Sequence, residues 1–267
     1  MPELAINDTT LFYRTEGPPA APWLVLLNGI FQRTEAWEPL LPYLEGFRLL
    51  RYDMRGQGQS AVPAGPYPPE LHADDLAALL AALGIRRYYL LGLSNGGVVA
   101  QVHAARRPTG LEKLVLLCTT PRLDPLLRAK VESWRLGLEW GGTRGRMLVA
   151  LPWIWGRAFL QAHPEVATEA WLSQMEQAAP TPEAQRHLLD GFLAMEDLRP
   201  RLGRIEAPTL VLSGEDDLLF PPFYGQEIAM AIPGATHRVL PQVGHVAPLE
   251  NAPGLAQQIR NFLEVKQ

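Results

Sequence analysis

The stretch from Gly92 to Gly97, with the sequence G-L-S-N-G-G, constrains the fold of this chain more than any other. It follows an apolar run at 88–91 and precedes a helical pattern at 98–102, so the sequence predicts a strand, a tight turn and a helix in that order. Ser94 is the central residue of the turn, with a glycine two residues before it and another two residues after it. Such a turn strains the serine backbone and leaves no room for side chains at the glycine positions. We therefore expect the Ser94 hydroxyl to stand clear of the end of a sheet, beside the N-terminus of a helix.

Apolar runs of strand length alternate with helical patterns along most of the chain. The predicted strands are 4–6, 11–14, 23–27, 47–52, 88–91, 111–118, 209–213 and 236–240. The predicted helices between and after them are 36–44, 70–83, 95–107, 222–231 and 253–265. The first two strands form a hairpin, and strands that alternate with helices form a parallel sheet with right-handed crossovers. The sequence thus predicts an α/β fold with a mostly parallel, eight-stranded sheet flanked by helices.

The alternation is interrupted between residues 121 and 204. This stretch has no convincing buried strand, its patterns are helical, and it contains five of the seven tryptophans of the chain. We interpret it as a helical cap, inserted after the sixth strand and lying over the carboxyl ends of the strands. The predicted domains are a core formed by 1–120 and 205–267 and a cap formed by 121–204.

The composition argues against nucleic-acid-binding and membrane-spanning proteins. The net charge of −4 provides no basic surface for nucleic acid or an anionic membrane, and no apolar stretch is as long as a membrane span. The one cysteine, Cys118, ends a predicted strand, and we expect a buried thiol there instead of a nucleophile. The start of the chain lacks the pattern of a signal peptide and one cysteine cannot form a disulfide within the chain, so we expect a cytoplasmic protein. Composition leaves a monomer and a homodimer equally open.

Polar residues at the predicted carboxyl ends of the strands are the candidates for chemistry, because ligands of open α/β sheets bind there. Ser94 is the candidate nucleophile, and a serine hydroxyl needs a base that accepts its proton. The candidate base is His245, in a loop after the last strand, and the candidate acid that orients it is Asp217. Asp216 and Asp124 are the alternative acids. The histidines lack metal-ligand spacing with one another, and we expect neither a metal nor a cofactor.

Acyl transfer also requires N–H groups that stabilise the developing oxyanion. One candidate donor is the backbone N–H of Asn95, next to the serine. The second should come from the loop after the third strand, where Ile30 is the first choice and Phe31 the second. Candidate pocket residues are aromatic: Phe31, Trp134, Trp153 and Trp155.

Three further polar residues in these loops have a structural interpretation. Asn28 follows the third strand, and Asp53 and Arg55 follow the fourth. We expect all three to hold their own loops together and not to contact substrate.

These motifs together resemble the α/β-hydrolase fold superfamily over nearly the whole chain. The motifs are 28–31 (N-G-I-F), 53–60 (D-M-R-G-Q-G-Q-S), the serine turn, 214–217 (G-E-D-D) and 244–245 (G-H). The order Ser, Asp, His along the chain is also that of this superfamily. Within it, the chain most resembles 3-oxoadipate enol-lactonases and related carboxylic-ester hydrolases. That closer resemblance depends on Asn28 nine residues before Trp37, on 51–56 (R-Y-D-M-R-G), on 65–67 (G-P-Y) and on 92–94 (G-L-S).

Some positions depart from the enol-lactonase pattern. Asn95 stands where those enzymes usually have methionine, and Gly29 where they tend to have serine. Gln57 occupies a position that is commonly histidine in the superfamily.

The resemblance implies a serine hydrolase that acts on a small-molecule ester or lactone through an acyl-enzyme, without a cofactor. C–C bond hydrolases, perhydrolases and aminopeptidases share this scaffold and stay open as alternatives. An aminopeptidase would need a carboxylate in the cap to bind the substrate amine, and the candidates are Glu132, Glu139, Glu165, Glu169 and Glu176. A ligand-binding receptor that retains the fold without catalysis is the non-enzymatic alternative.

Overall fold

Eight strands form one sheet in the order β1-β2-β4-β3-β5-β6-β7-β8, in a computed structural model that describes residues 2–264. The strands are β1 Glu3–Ile6, β2 Thr9–Glu16, β3 Trp23–Leu27, β4 Arg48–Tyr52, β5 Tyr88–Leu93, β6 Leu111–Leu117, β7 Thr209–Gly214 and β8 Thr236–Leu240. The β1–β2 and β2–β4 pairs are antiparallel, and the other pairs are parallel. The predicted α/β fold with a mostly parallel, eight-stranded sheet is confirmed.

Both faces of the sheet are covered by helices. The helices are α1 Pro69–Ala82, α2 Asn95–Ala105, α3 Pro125–Ile154, α4 Arg157–Ala162, α5 Glu169–Ala178, α6 Pro182–Leu193, α7 Arg199–Leu202, α8 Pro222–Ala231, α9 Ala247–Glu250 and α10 Ala252–Glu264. Successive residues of β3 belong to two different clusters of buried side chains, with Val25 in one and Leu26 in the other. A central strand that is buried on both faces explains why β3 is almost entirely apolar.

One predicted helix is wrong, and another extends beyond the described residues. Residues 36–44 do not form a helix of nine residues; two short 3₁₀ helices, Thr34–Trp37 and Leu41–Tyr43, replace it. Pro39 and Pro42 lack the N–H that a continuous helix would use, which explains the break. The last predicted helix was expected to end at Val265, which lies outside the described residues.

The stretch between β6 and β7 contains helices α3 to α7. Helix α3 is interrupted at Gly142, which has φ of 62°, and its two halves fold back on each other. They pack so closely that a Cβ atom on Gly145 would lie 2.3 Å from the Gly137 carbonyl oxygen. The bounds of the predicted cap as a separate domain, 121–204, stay a prediction. Within residues 2–264, no helix combines the length and the apolar character that crossing a membrane would require.

Candidate active site

Ser94 lies between the end of β5 and the start of α2, with φ of 56° and ψ of −121°. A positive φ is strained for a residue with a side chain, and the surrounding contacts maintain it. A Cβ atom on Gly92 would lie 2.3 Å from the Gly96 carbonyl oxygen, and one on Gly96 would lie 2.4 Å from the Leu27 carbonyl oxygen. Both glycines are therefore required by close backbone approach, as the sequence predicts. The hydroxyl of Thr119 donates a hydrogen bond of 2.7 Å to the Ser94 carbonyl.

His245 lies between Ser94 and Asp217. Its Nε2 atom is 2.9 Å from Ser94 Oγ, and its Nδ1 atom is 2.8 Å from Asp217 Oδ2. A carboxylate only accepts hydrogen bonds, so Nδ1 carries the hydrogen and Nε2 is left to accept from the serine hydroxyl. The other oxygen of Asp217, Oδ1, accepts the backbone N–H groups of Leu219 at 2.9 Å and Phe220 at 2.8 Å. These bonds hold the carboxylate in one orientation, and all three side chains are buried.

Neither alternative acid contacts His245. Asp124 is the N-cap of α3, where it accepts the Leu127 N–H at 2.9 Å and the Tyr224 hydroxyl at 2.6 Å. Asp216 is half-buried, and its backbone N–H donates to the Val243 carbonyl.

The loop that carries His245 is held by a residue that sequence reasoning missed. Glu250 accepts the N–H groups of Gly244 at 2.7 Å and Val246 at 3.0 Å, on either side of the histidine. It also accepts the N–H of Gly156, from the stretch between β6 and β7, at 3.0 Å. Burial raises the pKa of Glu250 in spite of these three N–H groups, which lower it. The only sequence signal for this role of Glu250 is its position, five residues after His245.

The loop after β3 lies against Ser94, because a Cβ atom on Gly29 would be 3.3 Å from Ser94 Cβ. The Phe31 N–H donates to Gln57 Oε1 at 2.5 Å, so it is not free for a substrate. The N–H groups of Ile30 and Asn95 take part in no hydrogen bond among the described residues.

The three loop residues with a predicted structural role make intramolecular contacts. Asn28 donates to a backbone carbonyl of β4 at 3.0 Å and accepts the Trp37 indole N–H at 2.7 Å. Asp53 accepts two backbone N–H groups, and buried Arg55 forms a salt bridge with Asp75 at 2.7 Å. These contacts hold the loops in place, as predicted.

A small apolar cavity of about 10 Å³ adjoins Ser94. Its lining residues are Ile30, Ser94, Val131, Trp134, Leu189, Phe192, Leu219 and Phe220. This volume is about that needed for one water molecule. The Ser94 hydroxyl lies in a wall that is otherwise formed by aliphatic and aromatic residues.

The candidate pocket residues occupy different places. Trp134 lines the cavity, and its indole N–H has no hydrogen-bond partner within residues 2–264. The other three are outside the set that lines it: Trp153 packs under the Lys130 ammonium group, Trp155 stacks on Phe159, and Phe31 lies under Arg146. Sequence reasoning could not separate Trp134 from the other two tryptophans, because which aromatic residues face the sheet depends on how α3 folds back.

Lys130 is a second residue that sequence reasoning missed. Its ammonium group donates to the Leu218 carbonyl at 2.5 Å, next to Asp217. Burial lowers the pKa of Lys130, and the charge of Asp217 opposes that shift. Lys130 thus connects α3 to the loop that carries Asp217.

Cys118 is buried, and burial raises the pKa of its thiol well above the usual value. Within residues 2–264, no three side chains of His, Cys, Asp or Glu are grouped so that they could hold a metal ion.

A model of the α/β hydrolase fold family matches residues 22–252. A protein of Pantoea ananatis named carbamate hydrolase RutD is 33% identical over 238 residues, which are 83% of this chain and 81% of that protein. The 3-oxoadipate enol-lactonase 2 of Acinetobacter baylyi is 28% identical over 92% of this chain and 90% of its own. The crystal structure of the enol-lactonase from Burkholderia xenovorans superimposes with a TM-score of 0.87 at 31% identity, over 98% of this chain and 100% of that one. The chain is a hydrolase and belongs to the α/β hydrolase fold family.

Proposed function

We propose that the protein is a serine hydrolase of small carboxylic esters or lactones, with Ser94, His245 and Asp217 as its catalytic triad. The observation that carries the proposal is the chain of hydrogen bonds from Ser94 Oγ through His245 to Asp217, at 2.9 and 2.8 Å. Ser94, where this chain of hydrogen bonds begins, adjoins an apolar cavity. A base and an orienting acid in these positions are what a serine nucleophile requires.

In the proposed mechanism His245 Nε2 accepts the hydroxyl proton while Ser94 Oγ attacks the carbonyl carbon of the substrate. The resulting oxyanion accepts the N–H groups of Asn95 and Ile30. His245 then donates the proton to the leaving alcohol, and an acyl-enzyme remains. A water molecule gives a proton to His245 and attacks the acyl carbon. His245 then donates that proton to Ser94 Oγ as the bond between Ser94 Oγ and the acyl carbon breaks, which releases the carboxylic acid and restores Ser94.

Two features support the oxyanion donors. The Asn95 N–H is at the start of α2, where backbone N–H groups are unpaired and the helix dipole favours negative charge. The Ile30 N–H is also without an intramolecular acceptor among the described residues, whereas Gln57 occupies that of Phe31. Ile30 is therefore the better choice for the second donor.

The helices between β6 and β7 support the predicted role as a cap. Val131 and Trp134 on α3 and Leu189 and Phe192 on α6 supply half of the residues that line the cavity. A cap of this kind would exclude water from the acyl group and select substrates by shape.

The relatives are consistent with acyl transfer, since two are named enol-lactonases and a further structural neighbour is a thermophilic esterase from Thermogutta terrifontis. Carbamate hydrolysis is a second candidate, because a 33% identical relative carries that name.

The aminopeptidase alternative lacks support. The five glutamates of the predicted cap are absent from the residues that line the cavity. Three of them form ion pairs elsewhere, Glu132 with Arg135 and both Glu169 and Glu176 with Arg144, and Glu165 contacts the His163 ring.

The test is hydrolysis of p-nitrophenyl acetate, butyrate and octanoate beside an enol-lactone and a phenyl carbamate, with Ser94→Ala as the blank. We expect turnover that Ser94→Ala abolishes, and labelling of the unmodified protein by a fluorophosphonate. Turnover that survives Ser94→Ala would refute the mechanism, and absence of labelling would favour the receptor alternative. Preference for short esters would indicate a carboxylesterase, and faster turnover of the lactone or the carbamate would identify those substrates instead.

A further inference from the structure

Helix α3 contacts the loops that carry Asp217 and His245. The Lys130 ammonium group, in the first half of α3, donates to the carbonyl of Leu218, the residue after Asp217, at 2.5 Å. The Ile154 carbonyl, at the end of the second half, accepts the backbone N–H of His245 at 2.7 Å. One helix thus contacts both the loop of the acid and the loop of the base.

The fold-back of α3 at Gly142 brings these two contacts together. A straight helix would separate Lys130 from Ile154 by about 36 Å. In the folded-back helix the Lys130 ammonium nitrogen lies 5.0 Å from the centre of the Trp153 ring, and Trp153 directly precedes Ile154. Both ends of α3 therefore lie beside the loops of the acid and the base.

Lys130 contacts the peptide group that holds the acid. The Leu218 carbonyl, which accepts from the ammonium group, and the Leu219 N–H belong to the same planar peptide unit. That N–H donates to Asp217 Oδ1 at 2.9 Å. A hydrogen bond to one end of a rigid peptide unit restricts the direction of its other end. Lys130 therefore orients a donor that holds the carboxylate.

The peptide groups on both sides of His245 are also held. The N–H of His245 donates to the Ile154 carbonyl, and the N–H of Val246 donates to Glu250 Oε1 at 3.0 Å. Glu250 Oε2 accepts the N–H of Gly156, two residues after the end of α3, at 3.0 Å. Glu250 therefore connects the residues after α3 to the backbone of the base.

Packing alone does not require a lysine at position 130. Lys130 has 8% of its surface exposed, and burial lowers its pKa, whereas the charges of Asp217 and Asp124 oppose that shift. A buried ammonium group carries a desolvation cost that a methionine of similar length would avoid. What the charge provides at this place is the contact with the Leu218 carbonyl.

Helix α3 also forms part of the wall beside the nucleophile. Val131 and Trp134 line the cavity that adjoins Ser94. The cavity has room for about one water molecule, so an ester that reaches Ser94 has to displace side chains that line it. A substrate would therefore contact the same helix that holds the two loops.

We propose that Lys130 and Glu250 are positioning residues, which orient the peptide groups that hold Asp217 and His245 and make the reaction at Ser94 depend on the position of α3; this assignment rests on the proposed function. Neither residue contacts the substrate. Each acts through the acid or the base, so its loss should lower kcat and leave KM nearly unchanged.

The kinetic test of Lys130 compares Lys130→Met with Lys130→Arg, with p-nitrophenyl butyrate as the substrate. We expect kcat of Lys130→Met to fall by about 10- to 100-fold, the range for a small misplacement of a catalytic group. Lys130→Arg retains a cationic donor and should recover part of the loss. The matched control is Arg135→Gln, since Arg135 is on the same helix and pairs with Glu132, and its kcat should stay within about twofold.

Glu250→Gln and Gly156→Ala test the contact with the base. All three backbone groups that Glu250 binds are donors, and the amide nitrogen of glutamine is a further donor, so glutamine cannot replace the carboxylate. A Cβ atom on Gly156 would lie 2.7 Å from the Gly244 nitrogen and would separate the two segments. We expect kcat of both variants to fall by about 10- to 100-fold. Gly141→Ala is the matched control, because an added Cβ there would meet no described residue within 4 Å beyond its own stretch of helix.

A double-mutant cycle shows whether Lys130 acts through the acid. If it does, adding Lys130→Met to Asp217→Asn should lower kcat further by no more than about twofold. Equal losses in the two backgrounds would mean that Lys130 only supports the fold, and would overturn the proposal for this residue.

Amide hydrogen exchange measures the same contacts without turnover. Exchange of the Leu219 N–H should be faster in Lys130→Met than in the unmodified protein. Exchange of the Gly156 and Val246 N–H groups should be faster in Glu250→Gln. Thermal unfolding of each variant verifies that it folds.

The outcomes separate this proposal from the proposed function. Unchanged kcat in Lys130→Met and Glu250→Gln, or a loss through KM alone, would overturn the positioning roles while ester hydrolysis through Ser94 stands. A protein that hydrolyses no ester and is not labelled by a fluorophosphonate would refute the proposed function. The exchange rates would then decide by themselves whether Lys130 and Glu250 hold the two loops.

Discussion

Replacing Asp217 with asparagine tests the assignment of the acid, and the structure determines how the new amide would be oriented. In the unmodified protein Oδ1 accepts two buried backbone N–H groups, from Leu219 and Phe220. The amide oxygen of asparagine must take that place, because an amide nitrogen there would face two donors. The amide nitrogen then faces His245 Nδ1, which has to accept. His245 Nε2 therefore carries the hydrogen and cannot take the proton of Ser94.

The size of the effect follows from the alternative orientation. If the asparagine amide turns by 180°, its oxygen faces His245 Nδ1, and His245 Nε2 is again free to accept the proton of Ser94. This orientation leaves the N–H groups of Leu219 and Phe220 unpaired, at a cost of about 1–3 kcal/mol each. At a total cost of roughly 2–6 kcal/mol, about one molecule in 30 to one in 30,000 has the amide turned in this way. We expect kcat of Asp217→Asn to fall by that factor, with little change in the free energy of unfolding.

The assay is kcat for p-nitrophenyl butyrate at pH 7–8, with urea unfolding as the check on folding. Asp216→Asn is the matched control, because its side chain does not contact His245, and its kcat should stay within about twofold. An Asp217→Asn protein that folds normally and retains more than a tenth of the kcat would refute the orientation argument. A larger loss in Asp216→Asn or in Asp124→Asn would move the acid to that residue.

Two further predictions concern the residues that hold the site. The pKa of Glu250 in the folded protein is raised above its usual value of 4.5. The difference in the free energy of unfolding between the unmodified protein and Glu250→Gln should therefore favour the unmodified protein most below pH 4.5. This difference should decline as the pH rises through the pKa of the folded protein. Urea unfolding of both proteins between pH 4 and 7 measures this, and a difference that grows with pH would contradict it. Gly96→Ala should lose about 1–3 kcal/mol of stability and most of its activity, because the added methyl group would lie 2.4 Å from the Leu27 carbonyl oxygen. Thermal unfolding beside Gly141→Ala checks this prediction, because an added Cβ there would meet no described residue within 4 Å beyond its own stretch of helix. Equal stability of the two variants would contradict it.

Two sequence predictions, the helix at 36–44 and the set of pocket residues, differ from the structure for different reasons. The helix predicted at 36–44 satisfies an apolar pattern, but two prolines prevent it from forming, so closer attention to proline would have corrected it. The pocket is different. Trp134, Trp153 and Trp155 were all candidate pocket residues by sequence, and of these three only Trp134 lines the cavity. The fold-back of α3 at Gly142 decides this, and hydrophobic periodicity contains no information on it.

The sequence by itself determined the order of strands and helices, the strained serine turn, and the three loops that carry Ser94, Asp217 and His245. These features follow from short-range causes: apolar periodicity, glycine sterics, and the rule that loops after parallel strands meet at one edge of the sheet. Only the tertiary structure decided that Asp217 contacts His245 while Asp124 caps a helix, and that Gln57 occupies the N–H of Phe31. The partner of a buried polar group is set by the packing of elements that are distant in the chain, and no local pattern encodes it.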